Sequence, residues 1–349
     1  MYLFHNDYCQ GCHPQILERL QQLQDMQLPG YGVDDLCNQA AEVIRQKCCN
    51  KDLAVHFLVG GTQTNLTVIA AALRPHHAVL AADSAHIHVH ETGAVEATGH
   101  KIIALPSKDG KLTAQQIEDY IIRQDGDDTA EHAVKVKMVY ISDSTELGTI
   151  YTKSELTAIS NVCRQHDVYL FVDGARLGYA LTAEGNDLDL ADMAALTDVF
   201  YIGGTKVGAL FGEAVVISNS GIAEDFRYLI KQHGGMLAKG WLLGLQFLTL
   251  LQNDLYFDIA SHANRMADQI RNTITECGYA LYLPGTTNQI FATIPNKVLD
   301  DLSSEFTFQK QAVIDEQQTA VRFCTSWSTT QNSVDALCKA IRATVNKEV

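Results

Sequence analysis

Basic residues are scarce in this chain: 26 lysines and arginines stand against 41 aspartates and glutamates, for a formal net charge of −15. A dedicated nucleic-acid binder needs a basic face to neutralise phosphates, so the balance excludes that class. It leaves small anionic ligands open, since they respond to local charge. No run of about 18 uninterrupted apolar residues occurs, so no membrane span is expected. The first residues, MYLFHNDYCQGCHP, lack a basic stretch followed by a long apolar core and do not read as a signal peptide. Internal repeats and low-complexity tracts are missing too. The nine cysteines are odd in number and scattered, which fits reduced cytosolic thiols rather than a disulfide framework. Cys9 and Cys12 form a single CxxC with no second pair to complete a zinc site.

What is present is an ordinary globular composition, 46% hydrophobic and 19% charged over 349 residues. That is enough for one large domain and a smaller one. From about residue 54, short β-prone runs alternate with amphipathic helical stretches. The runs are 54–59, 77–81, 101–105, 136–142, 168–172, 199–202 and 214–217; helical patterns cover 64–73, 113–123 and 154–166. This alternation predicts an α/β fold with a mostly parallel sheet covered by helices. A long helical pattern over 222–251 is expected to break near Gly234-Gly235. A further helix (256–277), strands at 289–294 and 320–324, and a last helix (333–345) predict a smaller α+β domain. The expected division is an N-terminal segment 1–50, a large domain 51–250 and a small domain 251–349.

Three features fall at predicted strand ends, where open α/β sheets bind their ligands. Gly60-Gly61-Thr62-Gln63-Thr64-Asn65 lies between a strand and a helix. It reads equally well as a plain turn or as a phosphate cradle, since a helix start offers free N–H groups and a positive dipole. The run Val168–Val172 ends in Asp173, a carboxylate expected to be buried and in need of a cation or several donors. Its partner is either Arg176, as a structural ion pair, or a cofactor nitrogen. Lys206 follows the run Val199–Ile202 among small apolar residues. It is either a snorkelling lysine or a desolvated amine with a lowered pKa, ready to attack a carbonyl. His86, His88 and His90 alternate, and on a strand they would share one face. No second cluster supports a metal there, and none is expected.

In order, the stretches GGTQTN, DSAHIHVHETGAVEATGHK, DSTELGTIYTKSEL, DGARLG and GGTKVGALFGE are similar to the threonine aldolase and β-eliminating lyase family. The similarity runs over nearly the whole chain, including Tyr31–Asp34 and the late VRFCTSW, and is nearest to the low-specificity threonine and phenylserine aldolase branch. The resemblance implies a fold type I enzyme that uses pyridoxal 5'-phosphate. Lys206 would carry the cofactor covalently, Asp173 would bind its ring nitrogen, and Arg176 would lie near the ring or its phenolic oxygen. Gly61 and Thr62 would hold the phosphate. His86 would stack on the ring and serve as a base, directly or through a water. Arg322 would grip the substrate carboxylate, with Asn6 beside it and Tyr31 reaching a neighbouring subunit's site, as Lys231 would. Many relatives carry a histidine in an N-T-H stretch; Thr145 is assigned to that place, which leaves the base open.

The implied reaction is cleavage of a β-hydroxy-α-amino acid to glycine and an aldehyde, by a cytoplasmic homodimer or homotetramer. The small amino-acid substrate is the only partner expected besides a second copy of the chain. The alternatives are another pyridoxal-phosphate reaction, such as β-elimination, and a binding protein that has lost its chemistry.

Overall fold

The computed structural model describes residues 1–345. Seven strands form the large sheet: Ala54–Leu58 (β1), His77–Ala82 (β2), Lys101–Leu105 (β3), Lys135–Ser142 (β4), Tyr169–Asp173 (β5), Val199–Gly203 (β6) and Glu213–Ile217 (β7). Their spatial order is β1-β7-β6-β5-β4-β2-β3. Adjacent pairs run parallel except where β7 meets β1 and β6. Helices connect most of the parallel strands. The segment 204–212 between β6 and β7 holds none, and a short return without a crossover brings the chain back antiparallel.

The covering helices begin where local chemistry starts them. Thr113 and Thr152 form reciprocal capping boxes with Gln116 and Glu155 at the starts of Ala114–Asp125 and Lys153–Gln165. The inner strands are mostly apolar on both faces, and β6 and β7 are buried throughout. The glycine-rich pattern at 222–251 breaks as expected, into Ser220–Ala223, Phe226–Gln232 and Trp241–Leu251.

The small domain is a second, antiparallel sheet. Its strands are Ala280–Leu283 (β8), Gln289–Pro295 (β9), Gln309–Val313 (β10) and Gln318–Cys324 (β11), in the order β10-β11-β9-β8. β8 and β10 lie outside the predicted strands: both are edge strands, largely polar or half-exposed, so no apolar run marks them. Two hydrophobic cores divide the chain. The helix Leu255–Glu276 belongs to both, with Ala263 in the first core and Met266 in the second. The change of core therefore falls inside this helix, not at residue 250. A continuous helix can serve two cores because its apolar positions recur along its length. The N-terminal segment also serves both, through Phe4 in the second core and Ile16 in the first.

Candidate active site

The C-terminal ends of β1, β4, β5 and β6 open on one cavity of about 360 Å³. Gly61, Thr62, His86, Asp173, Arg176 and Lys206 all line it. Sequence positions more than a hundred apart converge there because the parallel strands deliver their ends to one edge of the sheet.

Lys206 is set by the turn after β6. Gly203 and Gly174 cross so closely that a Cβ on Gly203 would lie 2.4 Å from the Ala175 carbonyl oxygen, and one on Gly174 1.8 Å from that of Tyr201. Only glycine admits this crossing. Gly203 N–H donates to the Gly174 carbonyl at 2.9 Å, and Tyr179 Oη donates to the Lys206 carbonyl at 2.6 Å. Burial depresses the Lys206 amine, the positive charge of Arg176 adds to this, and Asp7, Asp173 and Glu213 oppose it.

Asp173 is buried at the end of β5 and accepts from the Ala175 N–H at 2.9 Å, from Asn65 Nδ2 at 3.2 Å and from Tyr140 Oη. Arg176 is not among its partners. The guanidinium turns instead to Asp7 of the N-terminal segment, with Nε to Oδ2 at 2.7 Å and Nη2 to Oδ1 at 3.0 Å. A third donor, Asn288 Nδ2 from the small domain, reaches Asp7 Oδ2 at 2.9 Å. The local Asp173–Arg176 pair thus does not form: Asp173 is satisfied by its own three donors and Arg176 by a bidentate carboxylate.

The helix Gly61–Ala72 starts at this cavity, with its first intrahelical bond from Thr64 N–H to the Gly60 carbonyl at 3.0 Å. The N–H groups of Gly61, Thr62 and Gln63 precede that bond, as at any helix start. The Ser144 hydroxyl lies at the cavity wall, buried and without a partner. Free N–H groups, an unused hydroxyl, a buried carboxylate and a desolvated amine together suit an anionic, aromatic, carbonyl-bearing cofactor.

His86 sits over the cavity, its Nδ1 2.7 Å from Oε1 of Glu91, whose side chain is fully buried. Asn65 Nδ2 donates to the same oxygen at 2.8 Å. His86, His88 and His90 do not alternate on a strand: the chain has left β2, and His86–Val89 is a helical turn in which His90 N–H donates to the His86 carbonyl at 2.9 Å. No group of metal-ligating side chains is found among the described residues.

A neighbouring cavity of about 540 Å³ shares Tyr8, His86, Glu146, Arg176 and Lys206 with the first and extends to Arg322 on β11. Arg322 donates to Gln289 Oε1 at 3.0 Å, to the His5 carbonyl at 3.1 Å and to Gln309 Oε1, while its buried Nε has no partner.

Asn6 and Tyr31 line neither cavity, and for Tyr31 the expected place is a neighbouring subunit's site. Asn6 Oδ1 is taken by the Tyr8 N–H and by Cys9 Sγ, both at 3.0 Å, so the side chain caps its own turn and Tyr8 reaches the cavity in its place. Tyr31 stands apart on an exposed patch with Arg227, Tyr228 and Met236, its ring 5.2 Å from Lys231 Nζ. Thr145 also faces away. Its hydroxyl meets that of Thr149 at 2.7 Å, and the next residue, Glu146, lines both cavities.

The sequence reading missed Asp7, Glu91, Glu146 and Glu213. Burial raises the Glu213 carboxyl to about 8, against the hydrogen bond from Thr205 and the charge of Lys206. Glu213 had a usable signal, a lone acid heading the apolar run 214–217. Asp7 had none, because its partners are 169 and 281 residues away.

The sequence model of the beta-eliminating lyase family matches residues 22–297, and the chain belongs to that family. It is 32% identical over 320 residues to the low specificity L-threonine aldolase of Pseudomonas aeruginosa, covering 89% of each chain. It is 30% identical to that of a Pseudomonas species, covering 98% of each. The structure of a Leishmania major threonine aldolase superposes with a TM-score of 0.96 at 43% identity, covering 99% of this chain and 100% of that one. Thermus thermophilus aspartate aminotransferase shares the fold at a TM-score of 0.72 and 14% identity. The architecture is fold type I, with a mostly parallel sheet and a small antiparallel C-terminal sheet.

Proposed function

We propose that the protein is a pyridoxal-phosphate-dependent aldolase that cleaves β-hydroxy-α-amino acids of the threonine and phenylserine kind to glycine and an aldehyde. The observation that carries this reading is the convergence of Lys206, Asp173 and the Gly61-Thr62 helix start on one cavity that continues to Arg322. The named activity of the curated relatives supports it.

When bound, the cofactor would supply an electron sink for the pair released at the substrate's Cα. The protein's residues do the rest. Lys206 offers the nucleophilic amine for the carbonyl, its proton loosened by burial and by Arg176. Asp173, held by three donors, would pair with the cofactor's ring nitrogen and favour its protonated form. The N–H groups of Gly61 and Thr62 would hold the phosphate at the positive end of their helix. Arg322, already fixed on three partners, would bind the substrate carboxylate and so orient the bonds at Cα. His86, oriented by Glu91, forms the flat wall of the cavity.

The chain would act as a homodimer or homotetramer in the cytoplasm. The exposed patch around Tyr31 and Lys231 supports self-association, and the free cysteines support a reducing compartment.

Two measurements test this reading. A panel of threonine, allo-threonine, phenylserine and serine is assayed for glycine and aldehyde; pyruvate and ammonia from serine, with no glycine from the others, would sink it. Borohydride reduction fixes the cofactor to Lys206 in the parent, whereas Lys206→Ala loses both turnover and the fixed label. Label fixed at another lysine refutes the assignment.

A further inference from the structure

Glu146 is the one carboxylate among the residues common to both cavities, which are otherwise Tyr8, His86, Arg176 and Lys206. It belongs to the loop after β4. Thr145, just before it, is locked outward: its hydroxyl meets that of Thr149 at 2.7 Å and its Cβ packs on Gly110. That anchoring turns the next side chain inward. The carboxylate is then pinned by one oxygen only, with the His86 N–H donating to Oε1 at 2.9 Å and Ser142 Oγ donating to the same atom at 2.7 Å. Among the described residues no hydrogen bond from another residue reaches Oε2, and the one further donor to this carboxyl is its own backbone N–H. A carboxylate held rigid on one oxygen, with the other left toward a cavity, is built to exchange a proton with a bound molecule. Burial raises this carboxyl above its ordinary value and the charge of Asp173 adds to that, against the bonds from Ser142 and His86.

The position specifies the partner. One cavity holds the carbonyl chemistry of Lys206, the other the carboxylate grip of Arg322, and Glu146 lies where they meet. An amino acid bound to both has its amino nitrogen at Lys206 and its carboxylate at Arg322, and the side chain, the third substituent of Cα, is left to face the remaining wall. On the proposed aldolase reading, on which this inference rests, we infer that Glu146 Oε2 binds the substrate's β-hydroxyl and takes its proton as the Cα–Cβ bond breaks. The O–H electron pair then forms the aldehyde C=O, the Cα–Cβ pair stays on the Cα side, and the proton rests on Oε2. A proton added at Cα, and the one released from Oε2, balance the reaction; no oxidant or reductant is involved. Glu146 also selects the substrate, since an amino acid without a β-hydroxyl gives Oε2 nothing to accept.

The test uses the cofactor-loaded protein with Glu146→Gln and Glu146→Asp. Parent turnover of the amino-acid panel comes first; if it yields no glycine and aldehyde, the aldolase reading itself fails. With the parent active, Glu146→Gln lowers kcat at least about 100-fold, the lower end of what a positioned proton acceptor contributes. Its affinity for glycine, which carries no β-hydroxyl, is read from the change in cofactor absorbance and stays within about twofold of the parent. Glu146→Asp keeps the charge but withdraws it by one methylene, and loses about tenfold or more in kcat. If Glu146→Gln does not fold, Glu146→Asp decides alone. Two results overturn the proposal: a kcat within threefold of the parent in either folded variant, or a loss of glycine affinity that matches the loss of kcat, which marks a structural role only.

Discussion

Replacing Asp7 by asparagine removes the anion from a point where three parts of the chain meet. Arg176 brings two donors at 2.7 and 3.0 Å and Asn288 one at 2.9 Å. The Asp7 side chain is fully buried and that of Arg176 only 11% exposed, so the guanidinium cannot turn to water when its partner is lost. Breaking such a buried pair costs about 3–5 kcal/mol. Unfolding entropy near ~2.1 cal/mol/K per residue gives ~1.4 °C per kcal/mol for a chain of this length, so Asp7→Asn should melt ~4–7 °C below the parent. The pH dependence gives a second measure of the same pair. Burial alone would raise the Asp7 carboxyl, but the charges of Arg176 and Lys206 outweigh it and hold the group at about 2, below the ordinary 3.8. That gap is worth ~2.4 kcal/mol at ~1.36 kcal/mol per pH unit. The folded value is the lower one, so this stability is complete above about pH 4 and is lost as the pH falls toward 2. Thermal melts of the parent, Asp7→Asn, Arg176→Met and the double variant supply the assay. The double variant should melt higher than the two single losses added together, because removing both charges leaves neither one stranded. The gap between parent and Asp7→Asn should narrow by up to ~2.4 kcal/mol as the pH falls from 4 through 2. Additive losses, or an Asp7→Asn protein that melts with the parent at pH 7, would refute the reasoning.

Gly244→Ala should destabilise the protein although alanine is the better helix former. A Cβ there would lie 2.6 Å from the Cys37 backbone, where the helices Trp241–Leu251 and Asp35–Lys47 touch. Overpacking costs about 1–3 kcal/mol against a propensity gain of about 1 kcal/mol, so a melting temperature above the parent's would contradict this contact. Asp143→Asn tests a carboxyl that burial raises to about 7, partly offset by the Tyr151 N–H and Lys111. Between pH 4 and 7 the folded parent holds this proton more tightly than the unfolded chain, so it loses stability as pH rises through that window. The asparagine variant does not, and its melting temperature should gain on the parent's from pH 4 to 8; a constant difference would rule out the buried carboxyl as the cause.

The two kinds of site residue differ in how they could be read. Lys206, Asp173 and Gly61 each sit one to four residues past an apolar run, and strand ends in such a sheet face one edge, so their neighbourhood followed from one-dimensional spacing. Glu146 did not follow, because whether it or Thr145 faces the cavity depends on the anchoring of Thr145 against Thr149 and Gly110. The histidines at 86, 88 and 90 misled for a similar reason: alternation signals a strand only where a neighbouring strand pairs with it, and here none does. Asn6 and Tyr31 came from resemblance alone, and within this chain the first is held in its own turn while the second stays on the surface.

By itself, then, the sequence determined what local periodicity and composition can encode. It set the parallel strands, the helices that cover them, the order in which Gly61, Asp173 and Lys206 arrive, and the acidic balance of charge. Tertiary structure decided the pairings that span hundreds of residues. Arg176 chose Asp7 over nearby Asp173, one helix came to serve two cores, and Glu146 faced inward between the groups at Lys206 and Arg322. The physical reason is that a buried charge takes whichever partner packing brings within hydrogen-bond reach, and separation along the chain carries no record of that distance.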